Sequence, residues 1–175
     1  MAASIDHIIG QYVEILRSML LDVLPQRPNE AEFRAKVDAL LERFCADAGL
    51  NPLARAELTL ATGRPDAIFN RLVIEYERPG TLRPTPHHYA TRHAIAQVER
   101  YLADLTKRQR HELRRLAGVV FDGHYLIFVR FREGKRIDEP PVLVTKDSLE
   151  RFLRWLASTA SGIALTAENL NSDFA

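Results

Sequence analysis

Three acidic residues of this sequence are spaced so that a β-hairpin would gather them at one end of a sheet. Asp66 stands just before the apolar pair Ile68-Phe69, and Glu75 and Glu77 follow the apolar run Leu72 to Ile74. The polar pair between the two runs predicts a hairpin turn. Side chains alternate faces along a strand, so Glu75 and Glu77 are expected on one face, where like charges weaken the strand. The hairpin would allow Asp66 to lie beside either of them.

A divalent metal ion is one way to make such an acidic cluster stable. Crowded carboxylates raise each other's pKa or need a cation. Magnesium takes oxygen ligands, typically one or two carboxylates with water and substrate phosphate. A bound ion also activates water and stabilises charge on a phosphoryl group. From spacing alone the alternative stands equally well, namely solvated acids at a strand end with Arg64, Arg71 or Arg78 as partners.

Composition bounds the class of protein. The chain has 175 residues, 46% hydrophobic and 27% charged, which fits one globular domain. Asp6 and Glu14 interrupt the N-terminal apolar pattern, so we expect neither a signal peptide nor a membrane span. The single cysteine, Cys45, excludes an internal disulfide and fits a reducing, cytoplasmic compartment. Its helical context indicates core packing.

Charge is distributed unevenly along the chain. The net charge of +1 excludes a chain that is basic throughout. Between Arg83 and Arg115, however, eight Lys and Arg face three acids, a local charge of +5. Such a run is either a solvated helix face or a surface for phosphates. The neighbouring His87, His88 and His93 lack nearby cysteines, which disfavours a zinc site.

Apolar residues at helical spacing predict four helices. Pro25 and Pro28 end the first, Asn29 and Thr145 are typical N-caps, and Gly49 is a typical C-terminal residue. A further segment is expected to run on from the third helix to Leu116. The predicted helices are Ser4 to Leu24, Glu30 to Ala48, Tyr89 to Leu105 and Lys146 to Ala157.

Short β-prone runs predict a sheet between these helices. A second hairpin is expected over Gly118 to Phe131, because Asp122-Gly123 is a strong turn pair between two such runs. Glu133 to Lys135 would end its second strand. The other predicted strands are Ala56 to Ala61, Asp66 to Phe69, Leu72 to Tyr76 and an edge strand over Pro141 to Val144. This order of elements indicates the α/β or α+β class.

Three motifs in chain order resemble those of the PD-(D/E)xK nuclease superfamily. GRPDAI ending at Ile68 resembles its first metal-binding strand, IEYE ending at Glu77 its (D/E)xK strand, and QVERY ending at Tyr101 its QxxxY helix. An acid-bearing helix that starts at Glu30 resembles an upstream element of the superfamily. Over Asn29 to Phe131 the chain is most similar to the N-terminal nuclease-like domain of restriction enzymes fused to an adenine-specific DNA methyltransferase.

The resemblance implies a restriction-endonuclease-like core with a central mixed sheet flanked by helices, and a metal-dependent DNA endonuclease. Asp66, Glu75 and the backbone carbonyl of Tyr76 would hold Mg²⁺ or Mn²⁺, and Glu30 would assist the metal or the water. Gln97 and Tyr101 share one helix face and would support the site. Arg83, Arg92 and Arg100 would contact DNA phosphates.

The sequence departs from that pattern at Glu77, which occupies the position of the superfamily's lysine. Glutamate supplies no positive charge for the attacking water or the developing negative charge. It can bind metal or act as general base. The departure leaves two hypotheses, an endonuclease with an ExE variant of the motif, or an inactive nuclease-like domain for DNA binding or assembly. A domain that only binds other proteins is a third.

The resemblance also implies an organisation and partners. We expect an N-terminal amphipathic helix over 1–28, a nuclease-like domain over 29–157, and over 158–175 a polar tail or linker to a methyltransferase domain. DNA is the expected partner, no membrane association is expected, and a homodimer is one assembly that the sequence leaves open. The target sequence and the preferred metal are not encoded in any motif recognised above.

Overall fold

The computed structural model describes residues 4–50, 67–69, 71–109, 116–132 and 135–161. Four helices are described: α1 (Ile5–Val23), α2 (Glu30–Asp47), α3 (Tyr89–Gln109) and α4 (Lys146–Ser161). The described strands are β1 (Ala67–Phe69), β2 (Leu72–Tyr76), β3 (Ala117–Phe121), β4 (Tyr125–Arg132), β5 (Lys135–Asp138) and β6 (Val142–Leu143). Asp66 and the predicted strand over Ala56 to Ala61 lie outside the described residues.

The sheet is mixed, which confirms the predicted α+β class and is consistent with a restriction-endonuclease-like core. Its order is β1-β2-β3-β4-β5, with β6 pairing to β4 beside β5. The strands β2 and β3 are parallel and are joined through α3, whereas the other pairs are antiparallel. A parallel neighbour requires a crossover connection, and α3 supplies it.

Both predicted hairpins form. Phe69 pairs with Leu72 across a two-residue turn, and Phe121 pairs with Leu126 across the turn that contains Asp122 and Gly123. Gly123 adopts φ 81°, a left-handed conformation that favours glycine.

A third hairpin was not predicted. The strands β4 and β5 are adjacent in sequence and pair antiparallel, with Arg132 opposite Lys135. The sequence KRID of β5 carries three charged residues, so its hydrophobicity does not mark it as a strand. The edge strand over Pro141 to Val144 is present in shorter form as β6.

Local capping signals fix the helix starts where they were predicted. At α2, the Asn29 side chain accepts from Glu32 N at 2.9 Å, and the Glu32 carboxylate accepts from Asn29 N at 2.9 Å. This reciprocal capping box satisfies two backbone donors that a helix leaves unpaired. At α4, Thr145 Oγ1 accepts from Ser148 N at 3.2 Å. The helices α3 and α4 both run four residues beyond their predicted ends, because no proline or glycine stops them there.

Helices cover the two faces of the sheet unequally. One core packs α1, α2 and α4 against one face, and Trp155 is fully buried in it. The other core is smaller and lies under α3. Cys45 belongs to the first core, and burial, with a smaller contribution from Glu42, raises its thiol pKa to about 12. This confirms the expected core role of Cys45.

No helix in the described ranges is both long and apolar enough to cross a bilayer.

Asp122 ties the β3–β4 turn to the loop that leads from β2 into α3. Its carboxylate is fully buried and accepts backbone N–H groups from Leu82 at 2.9 Å, His124 at 2.9 Å and Tyr125 at 2.8 Å. These bonds satisfy a buried charge that would otherwise be costly. The end of β2 is therefore held from both sides, by the parallel ladder to β3 and by this loop anchor.

Gly118 allows α3 to approach β3 closely, and we predict that Gly118→Ala destabilises the fold. A Cβ atom there would collide with Val98 Cγ1 and would touch Leu102 Cδ1 at 3.4 Å. Overpacking of this kind costs about 1–3 kcal/mol. In urea denaturation the free energy of unfolding should fall by that amount.

Gly10→Ala in α1 is the matched control, since a Cβ there meets no atom within 4 Å. Alanine is the better helix former, so this variant should gain about 0.5–1 kcal/mol. A Gly118→Ala protein as stable as the wild type would show that α3 does not depend on this close approach.

Candidate active site

The pleat of β2 sends its polar residues to opposite faces of the sheet. Leu72, Ile74 and Tyr76 belong to the core under α1, α2 and α4, while Val73 belongs to the core under α3. Glu75 shares the α3 face with Val73, and its carboxylate meets Gln97 of that helix. The end of β2 therefore presents a carboxylate on one side and a phenol on the other.

Glu75 is buried, with a relative exposure of 6%, near the end of β2. Gln97 Nε2 donates to Glu75 Oε1 at 2.8 Å. Tyr101, one turn further along α3, is also buried and contributes to the core beneath the helix. The structure thus brings Glu75 and Gln97 into contact and places Tyr101 beside them on α3. A neutral amide offers a carboxylate a directed hydrogen bond but no opposite charge.

Glu77 extends the β2 ladder by one residue. Its backbone N–H donates to Phe121 O at 3.0 Å, and the residue is half-buried. Alternation along an extended chain would put Glu77 on the side of the sheet that Glu75 occupies, and this stays a prediction. Arg78, which follows, is exposed.

Asp66 lies outside the described residues, so its predicted position beside Glu75 stays a prediction. The described register of β1 and β2 ends with Ala67 opposite Ile74. Asp66 is bonded to Ala67 and Glu75 is bonded to Ile74. The ladder therefore stops one residue short of both acids.

Glu30 is the first residue of α2 and is exposed. One turn later, the Phe33 ring packs edge-on against Tyr76, with centroids 6.1 Å apart, and against Phe121 at 5.2 Å. These contacts bring the start of α2 to the end of β2. Glu30 lies on the helix that covers the face opposite Glu75.

Asp38 is a polar residue at this end of the sheet that the sequence analysis did not single out. Tyr76 Oη donates to Asp38 Oδ1 at 2.6 Å, and Arg34 Nε donates to Asp38 Oδ2 at 3.4 Å. Burial raises the pKa of Asp38, and the hydrogen bond from Tyr76 and the charge of Arg34 oppose that rise. An acid four residues after an arginine is ordinary on a helix surface, so no sequence signal marked it.

Carboxylate and carbonyl oxygens, which this site offers, are the ligand type that hard cations such as Mg²⁺ prefer. Within the described ranges, no group of three or more His, Cys, Asp or Glu side chains is close enough to hold a metal ion. Magnesium, however, is commonly held by one or two carboxylates, with water completing its octahedron. Glu75 is one such carboxylate, and Glu77 would be a second if it lies on the predicted side of the sheet.

The three arginines expected to contact DNA have different surroundings. Arg83 is exposed, and its Nη1 donates to Gly80 O at 2.5 Å and Leu82 O at 3.0 Å, so it also braces its own loop. Arg100 Nε donates to Ala96 O at 3.3 Å. Arg92 is exposed near the start of α3.

We predict that Tyr76→Phe destabilises the protein by about 1–2 kcal/mol near neutral pH, because Asp38 would lose its hydrogen bond to the phenol. That bond lowers the Asp38 pKa, so its removal raises the pKa further. The loss should shrink as the pH falls and Asp38 becomes protonated. Denaturation at several pH values measures both effects.

Tyr12→Phe is the matched control for this prediction. Tyr12 Oη donates to Asp47 Oδ2 at the same distance, 2.6 Å, but Asp47 is exposed. Water can replace the phenol there, so the loss should be smaller. Equal losses in the two variants would show that burial of Asp38 adds nothing.

Comparison with known proteins supports the fold and leaves the family open. No protein-family model matches the chain, and no curated protein matches it by sequence. Among solved structures, a chain from a cryo-electron microscopy structure of a DrdV–DNA complex is similar, with a TM-score of 0.50 and 15% sequence identity. The match covers 84% of this chain and 14% of that one, so this chain spans about one seventh of its neighbour's length. At this identity the similarity shows a shared fold.

Proposed function

We propose that this chain is a metal-dependent DNA endonuclease domain that hydrolyses phosphodiesters with an ExE variant of the PD-(D/E)xK motif. Asp66 and Glu75, with the backbone carbonyl of Tyr76, would hold Mg²⁺ or Mn²⁺. Glu77 would act as general base or as a further ligand, and Glu30 would assist from the start of α2. The bound ion would neutralise the acids and stabilise charge on the phosphate.

The contact between Glu75 and Gln97 carries this proposal. A carboxylate that is 6% exposed on a central strand is costly, and a core position there would ordinarily be apolar. The 2.8 Å hydrogen bond from Gln97 fixes the carboxylate in one orientation. Positioning of a metal ligand by a neighbouring side chain is a general feature of metal sites. The motif resemblance assigns Glu75 to the metal and Gln97 to the support of the same site.

The register of the first hairpin supports a role for Asp66. The described pairing puts Ala67 opposite Ile74. Continued by one residue, the same register would put Asp66 opposite Glu75. In this proposal two carboxylates then approach one ion from neighbouring strands, and Glu77 provides a third from the extended end of β2.

DNA as the partner is supported by fold and charge together. The similar structure is that of a DrdV–DNA complex, and this chain covers 14% of its chain. The basic segment from Arg83 to Arg115 would give a salt-dependent grip on phosphates through residues such as Arg83, Arg92 and Arg100. We further propose that the domain works within a longer, cytoplasmic restriction-modification protein with an adenine-specific methyltransferase domain. A homodimer would let two such sites cut both strands.

A second candidate function is favoured by Glu77. Glutamate at the lysine position removes a positive charge that the reaction would use. The same fold would then serve DNA binding or assembly without cleavage. The two functions separate cleanly, because only the first requires Asp66 and Glu75 for turnover.

We predict that the purified chain cleaves plasmid DNA with Mg²⁺ or Mn²⁺ and not in EDTA. Asp66→Ala should abolish cleavage. Glu75→Gln keeps the shape of the side chain but removes its charge, so it should lower the rate by about a hundredfold or more. Gel analysis of time courses measures each rate.

Glu77→Lys decides between the two candidates. If the wild type cleaves and Glu77→Lys does not improve it, the glutamate is functional. Cleavage by Glu77→Lys alone would mean that the site has decayed in an intact fold. If neither protein cleaves, with metal or in the presence of a methyltransferase domain, the endonuclease proposal fails.

Metal binding gives a readout that does not depend on turnover. Titration with Mn²⁺, followed by electron paramagnetic resonance, should show a site that Glu75→Gln weakens at least about tenfold. Asp38→Asn is the matched control, since Asp38 lies on the other face of the sheet beside Tyr76. Equal Mn²⁺ affinity for wild type and Glu75→Gln would remove Glu75 from the ligand set.

A further inference from the structure

A cleft separate from the candidate active site lies on the α3 face of the sheet. It has a volume of about 600 Å³ between the first half of α3 and the segment around β5. Its floor is apolar and its rim is basic. Its lining includes His87, Arg92, Ile95, Arg136, Glu139 and Pro140.

This cleft and the candidate active site lie on opposite flanks of α3. The Gln97 side chain points from α3 toward β2, where it donates to Glu75. The Glu99 side chain points toward β5, where it pairs with Arg136. Residues of an α-helix two apart point about 200° away from each other, which accounts for the separation. Arg92 and Ala96 line the cleft on the Glu99 side.

The charges at the cleft leave a basic surface. Glu139 is held by Arg151 through two hydrogen bonds of 2.6 and 2.7 Å, and Arg130 Nε lies 3.8 Å from it. Glu99 is held by Arg136. Within the described ranges, the Arg92 side chain makes no hydrogen bond or ion pair, and it is exposed at the rim. The first turn of α3 contains no acid that would offset the positive end of the helix dipole.

An exposed aromatic pair stands beside this basic rim. Tyr89, the first residue of α3, is 80% exposed. Its ring stacks on His93, with centroids 6.0 Å apart and planes 22° apart. The imidazole supports the phenol from one side. The tyrosine is thus a presented ring rather than part of a core, one turn of helix from Arg92.

We propose that this end of α3 binds single-stranded DNA. A base stacks on Tyr89, and the backbone phosphates follow the rim past Arg92 toward Arg136. Aromatic platforms beside basic grooves are the usual means of holding single strands, because every base has a face that can stack. The apolar floor suits a base or sugar better than a bare phosphate. This binding does not require hydrolysis and is separate from the Glu75 site.

Fluorescence anisotropy with a labelled oligo(dT) strand in EDTA tests the proposal. We expect wild-type binding that weakens as salt rises. Tyr89→Ala should lower the affinity about fivefold or more, and Tyr89→Phe should keep it, since phenylalanine retains the ring. Arg92→Ala should weaken binding and reduce the slope of log affinity against log salt by about 0.7, the value for one phosphate contact on a single strand.

One control separates this site from general charge, and EDTA in the assay removes cleavage. Lys36→Ala removes an exposed charge from α2, on the other face of the sheet, and should leave affinity unchanged. The proposal is wrong if the wild type binds no strand at low salt, or if Tyr89→Ala binds as well as Tyr89→Phe.

Discussion

The burial of Glu75 beneath α3 is the constraint on which the candidate site depends. A carboxylate on a strand that is paired on both edges has lost most of its water, and the amide of Gln97 gives it a directed hydrogen bond. Because the pleat alternates, the neighbouring Tyr76 must face the other way, where it binds Asp38. The end of β2 therefore carries polar contacts on both faces, at a place where a sheet of this kind would otherwise be packed with apolar side chains.

The rest of the fold keeps that strand end fixed. β2 is paired on both edges, antiparallel to β1 and parallel to β3. Gly118 lets α3 lie close to the sheet, so that a side chain as short as glutamine reaches Glu75. Asp122 anchors the loop that carries the chain from β2 into α3. Each of these contacts restricts how far Glu75 and Gln97 can move apart, which is what precise placement of a ligand requires.

Local signals in the sequence predicted the elements well. The capping box at Asn29 and the turn at Gly123 involve residues close in sequence, so the residue types alone predict them. The strand β5 was missed because its residues are mostly charged and lack the apolar, β-branched pattern of a strand. Helix ends were underestimated where no breaker residue stands, since packing rather than sequence decides how far such a helix continues.

The site was predictable only in part, for a different reason. Motif order led to Glu75 and Gln97, and the structure brings them into contact across 22 positions of sequence. Asp38 and Tyr76 are 38 positions apart, and neither residue type predicts that the two side chains will be in contact. Pairs of this kind arise from the packing of α2 on β2. Hydrophobic periodicity predicts which side of each element is buried, but it does not predict which residues of the two elements meet.

Electrostatics connects these observations to Glu77. Lysine at that position would pair with the carboxylates and would lower their demand for a cation. With glutamate there, the local field is more negative, so under the proposed function the acids depend more strongly on a bound metal. The same field would repel a DNA backbone. Under the two proposals, positive charge for DNA would come from elsewhere on the surface, and the exposed Arg92 lies on the opposite flank of α3, away from the acids. The metal would then stabilise charge at the scissile phosphate, while Arg92 would hold a strand on the other flank of the helix without competing for that metal.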